Sequence, residues 1–436
     1  MEHSHAPAAS VVIRLAEWTK LSPETEPALK GLSVPPGAPQ TVARSLRDRV
    51  DIRPTFDGLE VSSTSFVGRI DVGPLRLVIE PKLEALSLTR LMRYAYGVRD
   101  LDVLEPTRAD TGKAGIVDLL VSLLCVEGSG LIARGLARRY EAKRETLSSP
   151  RGRLLVNELV RRGGIREAAL PCHYFERSAN WKLNQLVRAG LIHAARLTDD
   201  AVLRHRCNRL VQMLADIEPS PGISPIKVEQ ALCGLDRTTA GYAPALDLIK
   251  LLLEASGFTF MDTSTASHLP GFLFDMNIFF QRLLSRFLRE NLTTRRLVDE
   301  LQIRELFRYV PDANPQGLRA PRPRPDYALY EGKALQRFLD AKYRDVWNQR
   351  LPSKWLYQLS IYAMASPEPT SVVLYPTMEA SAREARLQIR RPKADSGSDA
   401  YVVTRPVDME QLSSLLDPRS NNLEGRRAFA EKLVAA

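Results

Sequence analysis

The apolar positions change their period along the chain. Between Val11 and Leu83 they alternate or gather in short runs, VVIRLAEW, VDIRPTF, GLEVSSTSFVGRIDVG and LRLVIEPKL, broken by Gly and Pro. A period of two predicts a small β-rich domain, with a proline-rich loop over residues 21–47 and one short helix near TVARSLRD. After Pro81 the spacing becomes three and four. LSLTRLMRYAYGV, GIVDLLVSLLCVEGSGLIARGLARRYEA and NWKLNQLVRAGLIHAARLTDD then predict helices. Between them SSPRGRLLVNELVRRG and PCHYFERSAN read as connecting segments. Arg151, Arg153, Arg161, Arg162 and Arg166 make that stretch basic, either as a solvated face or as one that contacts phosphates.

A break over residues 217–242 precedes a helix in PALDLIKLLLEAS. FLFDMNIFFQRLLSRFLRENL, residues 272–292, then predicts a long amphipathic helix. Strands expected in LQIRELF, DYALYE, QRFLDAKY, SVVLYP and AYVVTR interleave with a helix in KWLYQLSIYAMAS, which makes this part α/β. LEGRRAFAEKLVAA predicts a terminal helix. The expected organisation of an α/β multi-domain chain is therefore a β-rich domain over 1–85, a mainly helical region over 86–240 and an α/β domain over 241–436.

Composition adds a partner class and removes several others. Lys and Arg outnumber Asp and Glu by 61 to 51, a formal charge of +10 that favours a polyanion, although a merely basic soluble protein reads the same way. Cys125, Cys172, Cys207 and Cys233 form no CxxC pair, which argues against a zinc ribbon or a disulfide framework and fits reduced thiols in a cytoplasm. The opening MEHSHAPAAS is no signal peptide, and no uninterrupted apolar run reaches the ~18 residues of a membrane span. His3 and His5 sit in that terminus as incidental residues. His173 and His193 lack a partner Cys or Asp at zinc-ligand spacing. Trp18, Tyr94, Tyr96 and Trp181 read as core aromatics before they read as base-stacking platforms.

The chemistry concentrates in RPRPDYALYEGKALQRFLDAKYRD, residues 322–345. Alternation along a strand points Asp340 and Lys342 to one face and turns Ala341 into the core. Asp326, at the start of the neighbouring strand, adds a second carboxylate. Oxygen ligands suit Mg²⁺, with Mn²⁺ as a substitute: Asp326 and Asp340 would hold the ion and the Ala341 carbonyl could add a ligand. Lys342 would orient or deprotonate the attacking water in phosphodiester hydrolysis. The same residues also read as a surface hairpin with an ordinary ion pair. Arg319, Arg322 and Arg324 lie just upstream, where they could contact DNA phosphates. Gln358 and Tyr362 are four apart and share a helix face.

The order of helix, Pro-Asp strand, Asp-x-Lys strand and Gln-x-x-x-Tyr helix resembles the restriction-endonuclease-like PD-(D/E)xK nucleases, especially their RecB-type branch. A closer resemblance is carried by SFVGRIDVGPLRLVIEPKL, LMRYAYGV, RGRLLV, CHYFERSANWKLNQLVRAGL, FLFDMNIFFQRLLSRFL, RPDYALY, FLDAKYRD, YQLSIYA and VVLYP. These look like the blocks of the McrC family, the nuclease subunits of modification-dependent McrBC restriction systems, over about residues 11–376. The resemblance implies a Mg²⁺-dependent endonuclease subunit that docks an McrB-like AAA+ GTPase hexamer through its N-terminal domain, around Lys82 and neighbouring turns. It implies stimulation of GTP hydrolysis and cleavage of DNA carrying 5-methylcytosine in anti-phage defence, with no membrane involved. The chain itself has no GxxxxGK[ST] loop, since TGK at 111–113 lacks the earlier glycine. In one respect it departs from the family: FFQRLL has Gln281 where the pattern has a Glu. An amide reaches a metal or its water without bringing charge, and Asp275 or Glu290 are the acidic residues that could stand in. The alternative that follows is a catalytically weakened activator that bridges DNA and an AAA+ ring.

Overall fold

The computed structural model describes residues 11–33, 46, 48–72, 75–98, 115–165, 168–256, 271–310, 312–390 and 399–435. The helix expected at TVARSLRD lies almost wholly outside the described residues, as do His3, His5, Arg166 and the TGK at 111–113. Contacts divide the chain into two compact units, one of residues 1–116 with 255–436 and one of residues 117–254. This partition groups the two ends of the chain, whereas the sequence reading divides it in three at 85 and 240.

In the first unit, β1 (Val11–Ala16), β2 (Lys20–Leu21), β3 (Val50–Thr55), β4 (Gly58–Ser63), β5 (Phe66–Val72) and β6 (Leu75–Glu80) are short strands, as the alternation predicts. Ile70, Val72, Leu75, Leu77 and Ile79 all point inward and are buried. β2, β4 and β3 make a small sheet. β1 runs parallel to β6, and β6 pairs antiparallel with β5. α1 (Ala85–Tyr96) follows and ends at Gly97, whose φ of 68° supplies the left-handed cap.

The second unit opens with α2 (Ile116–Arg134), 19 residues with a mean hydropathy of 2.0, of which 61% is buried within the protein, as a core helix requires. The helix stops at Arg134, short of the expected RRYEA. Those residues begin β7 (Arg139–Leu147), and β8 (Arg153–Leu154) and α3 (Val156–Arg161) come next. PCHYFERS is no connector. It is β9 (Leu170–Ser178), the central strand of the sheet β7-β9-β8, paired residue for residue with β7. α4 (Lys182–Leu197), α5 (Ala201–Met213), α6 (Pro225–Cys233) and α7 (Ala243–Ser256) complete this unit. All four cysteines are free thiols, with Cys125 and Cys207 3.3 Å apart in the interior.

The chain re-enters the first unit as β10 (Gly271–Asp275), which pairs antiparallel with β5. The helix expected from 272 therefore begins at Met276, as α8 (Met276–Asn291), after Asp275 caps it by accepting the Asn277 N–H at 2.8 Å. Gly68 is the residue this pairing requires. With φ of 136°, a Cβ on it would stand 2.1 Å from the Phe272 carbonyl oxygen.

β11 (Arg295–Asp299), β12 (Tyr327–Glu331), β13 (Ala334–Ala341), α9 (Ser353–Ala365), β14 (Thr370–Thr377), β15 (Ala385–Ile389), β16 (Ala400–Asp408), α10 (Met409–Leu415) and α11 (Leu423–Val434) follow. The six strands form one mixed sheet in the order β11-β12-β13-β14-β16-β15, with β13, β14 and β16 mutually parallel. The central β14 is buried almost throughout, as a strand covered on both faces must be. LQIRELF is not a strand. Glu300 turns left-handed at φ 52°, and residues 300–303 lie beside 323–326, where alternating prolines cannot sustain a ladder. α8 buries Phe279, Phe280, Leu283, Leu284, Phe287 and Leu288. It packs on the Tyr327 side of the sheet, where the Tyr327 hydroxyl donates to the Gln281 carbonyl at 2.6 Å. α9 packs on the other side, where Leu359 and Tyr362 meet Ala328, Phe338, Val373 and Val402.

Candidate active site

The register of β12 on β13 creates the site. Tyr327 lies opposite Leu339 and Ala328 opposite Phe338, so Asp326 falls opposite Asp340 at the end of the pair. By alternation both carboxylates share the α9 face with Ala328 and Phe338. Asp326 is fixed by two donors: the Ala341 N–H reaches its Oδ2 at 2.8 Å, and the Gln281 amide Nε2 reaches its Oδ1 at 3.0 Å. Lys342, whose N–H is bonded to the Leu374 carbonyl at 2.9 Å, returns its ammonium to 2.5 Å from Asp340 Oδ2.

Asp340 is fully buried, and apart from that ion pair neither of its oxygens receives a hydrogen bond. Leaving carboxylate oxygens buried and undersatisfied is costly unless something else engages them. Burial, then the neighbouring Asp340 charge, pushes the Asp326 carboxyl up to about 7, against the opposing pull of Lys342 and the Ala341 N–H. Burial lowers the Lys342 ammonium, but the two carboxylates overcome it and the group stands above its ordinary value. Two acidic side chains crowded on one face with lone pairs to spare, with the backbone of Ala341 adjoining both in chain or hydrogen bond, fit a hard oxygen-seeking cation. Among the described residues no group of three or more His, Cys, Asp or Glu side chains gathers for a metal, at this site or elsewhere, so the candidate set is the two carboxylates with backbone oxygen.

Gln358 and Tyr362 stand together on α9, the amide donating to the phenol oxygen at 2.9 Å. Tyr362 packs on Phe338, ring centroids 6.0 Å apart. Burial raises its hydroxyl pKa, with the Gln358 hydrogen bond acting against this and the Asp340 and Asp326 charges reinforcing it. The pair therefore borders the carboxylates. Gln281, Asp326, Asp340, Ala341, Lys342, Gln358 and Tyr362 are brought together as one constellation.

The stand-ins for a glutamate at 281 are elsewhere. Asp275 is the cap of α8, and Glu290 accepts from Tyr94 at 2.6 Å and pairs with Arg286 at 2.7 Å near the far end of that helix. Arg319, Arg322 and Arg324 are exposed on the approach to Asp326; Arg324 is paired with Glu300. His173 stacks edge-on against Phe175, ring centroids 5.5 Å apart. Sequence reasoning missed Tyr343, the residue after Lys342, and Asn277 and Glu17, which anchor it. Their contacts span up to 326 positions, so no local spacing signals them.

The mixed α/β sheet thus carries two opposed carboxylates and a lysine at the ends of two paired interior strands. The chain belongs to the McrBC 5-methylcytosine restriction system component family, whose model matches residues 61–376. A refined half-complex from a tetradecameric assembly of Thermococcus gammatolerans McrB AAA+ hexamers with bound McrC is similar at 17% identity and a TM-score of 0.63. That match covers 97% of this chain and 100% of the other. The likeness is one of fold. A cryo-EM structure of the Thermococcus gammatolerans McrBC complex is similar at 18% identity and a TM-score of 0.46, over 65% and 88% of the two chains. A comparison with curated proteins gave no match.

Proposed function

We propose that this chain is a Mg²⁺-dependent DNA endonuclease subunit with a PD-(D/E)xK site, cytoplasmic, acting on DNA with modified cytosine beside an McrB-like AAA+ GTPase hexamer that it stimulates. The observation that carries this reading is the buried Asp340 carboxylate, undersatisfied apart from Lys342 and opposed by Asp326. Asp326, Asp340 and the Ala341 carbonyl would hold the ion, with Mn²⁺ able to replace it. Bound there, the cation supplies positive charge to phosphate oxygens and lowers the pKa of water.

The chain's own contribution is positional. Lys342 is held as an ammonium by its two carboxylate neighbours, so it orients the attacking water and offsets charge developing on phosphorus instead of removing a proton. Hydrolysis forms one P–O bond to water and breaks one to the sugar oxygen, which leaves with a proton drawn from solvent. Gln358 and Tyr362 border the site as a hydrogen-bonded pair facing the substrate side. Arg319 and Arg322, exposed upstream, contact phosphates.

The likeness to a chain found with McrB hexamers supports the partner in this reading. The test is cleavage of a methylated duplex in the presence of an McrB-like GTPase and Mg²⁺. Asp340→Ala and Lys342→Ala each abolish cutting while GTPase stimulation persists; cutting retained by both overturns the assignment. A second reading, an activator with a weakened nuclease, is favoured by one contact. Gln281 spends its amide N–H on Asp326 and brings no charge to the site. That reading predicts GTPase stimulation with negligible cutting until Gln281→Glu is introduced.

A further inference from the structure

We propose that Tyr343, held by Glu17 and Trp18 from the end of β1, is a positioning residue that fixes where the Lys342 ammonium stands over Asp340. Tyr343 follows Lys342 directly and is buried, and all its polar groups are engaged, two by the end of β1 and one by α8. Its hydroxyl donates to Glu17 Oε1 at 2.9 Å and its carbonyl accepts the Trp18 indole N–H at 3.0 Å. Its N–H donates to Asn277 Oδ1 at 3.3 Å. The ring meets Phe280 edge-on, centroids 5.8 Å apart.

The clamp is built at a cost, which distinguishes it from incidental packing. Glu17 is 1% exposed; its Oε1 also accepts the Lys82 N–H at 2.9 Å, and its Oε2 is buried with no hydrogen-bond partner. A buried carboxyl with a spare oxygen is expensive for any role that a neutral side chain could fill. Trp18 is a bulky residue at φ 57°, a region such side chains rarely adopt, and the Arg344 guanidinium lies 5.0 Å from its ring centroid. Asn277 stands one turn before Gln281 on α8, and Gln281 holds Asp326. Tyr343 is thus where the N-terminal sheet, α8 and β13 meet beside the two carboxylates. An ammonium on a flexible four-carbon stem takes its position from the backbone that carries it. Only the activity arm of the test rests on the nuclease reading.

The direct test is competitive acetylation of the full chain by N-hydroxysuccinimidyl acetate, followed residue by residue by mass spectrometry, with exposed Lys333 and Lys354 as references. A lysine detached from Asp340 leaves the ion pair that holds it at 22% exposure, meets the reagent more readily and reacts faster. Tyr343→Phe and Glu17→Ala should speed Lys342 about threefold or more relative to the references. Glu17→Gln keeps an acceptor for both donors and should restore the slow rate. In partner-dependent cleavage the first two variants should lose roughly tenfold in kcat with KM for DNA little changed, in line with the cost of misplacing a group by less than ~1 Å. Unchanged Lys342 reactivity in Tyr343→Phe, or equal acceleration of all three lysines, overturns the proposal. If the wild-type chain proves not to cut DNA, the acetylation pattern still decides the positioning role, so the two failures are distinguishable.

Discussion

The amide of Gln281 donates to Asp326 Oδ1 at 3.0 Å, which joins the long helix of the C-terminal sheet to the first of the two opposed carboxylates. A glutamate at this position would bring a third charge against Asp326 and Asp340. Gln281→Glu should therefore bind Mn²⁺ about tenfold more tightly by calorimetry, a typical scale for changes around metal ligands. It should also melt at lower temperature without metal, because like charges crowd a buried site. Unchanged affinity would mean that the amide is no defect.

Lys342 and Asp340 form the most buried ion pair of the site, with side chains 22% and 1% exposed. Lys342→Met removes the counter-charge and leaves the carboxylate stranded. The metal-free variant should lose on the order of 3 kcal/mol in denaturant unfolding, and Mn²⁺ should recover part of that by binding the native state. A loss within experimental error would place the carboxylate in a wetter setting than its burial indicates.

Glu17 gives a pH signature of its own. Burial pushes its carboxyl up to about 7, against the Lys82 N–H and Tyr343 hydroxyl that favour the charged form. The native group keeps its proton to higher pH than the unfolded one. Its contribution to stability is thus fully present below pH ~4.5 and lost as the pH rises through about 7. Glu17→Gln, which keeps a neutral acceptor, should match the wild type near pH 4 and exceed it at pH 8 by roughly 2–3 kcal/mol. Parallel stability curves for the two proteins would contradict this.

The three upstream arginines should not contribute equally to DNA binding. Arg324 is engaged by Glu300, whereas Arg319 and Arg322 are exposed and have no such bridge. Replacing Arg319 and Arg322 by Ala should flatten the dependence of log Kobs on log salt by about 0.9 per lost phosphate contact. Arg324→Ala should change it little. An equal loss from all three would assign the effect to net charge alone.

The carboxylate-lysine set was legible because its geometry is local. Two strands joined by a short Gly-containing turn, with alternation along Asp340-Ala341-Lys342, suffice to bring the groups to one face, and Tyr362 joins them through helical spacing and α9 docking. What the sequence concealed depends on distant partners. Residues 271–275 look helical by composition and become β10 because β5, some 200 positions earlier, offers a ladder. PCHYFERS becomes β9 only because β7 lies beside it. Leu301–Phe307 has strand-like alternation, yet its neighbour is a run of prolines that cannot pair. The anchoring of Tyr343 by Glu17 belongs to the same kind of long-range fact.

The central claim is that Asp326 and Asp340 form a divalent-cation site. Calorimetric titration of Mn²⁺ into the full chain with a short DNA duplex, beside Asp340→Ala, tests it most directly. The account predicts saturable binding to the wild type and its disappearance in the variant. Identical titration curves for the two proteins would contradict it.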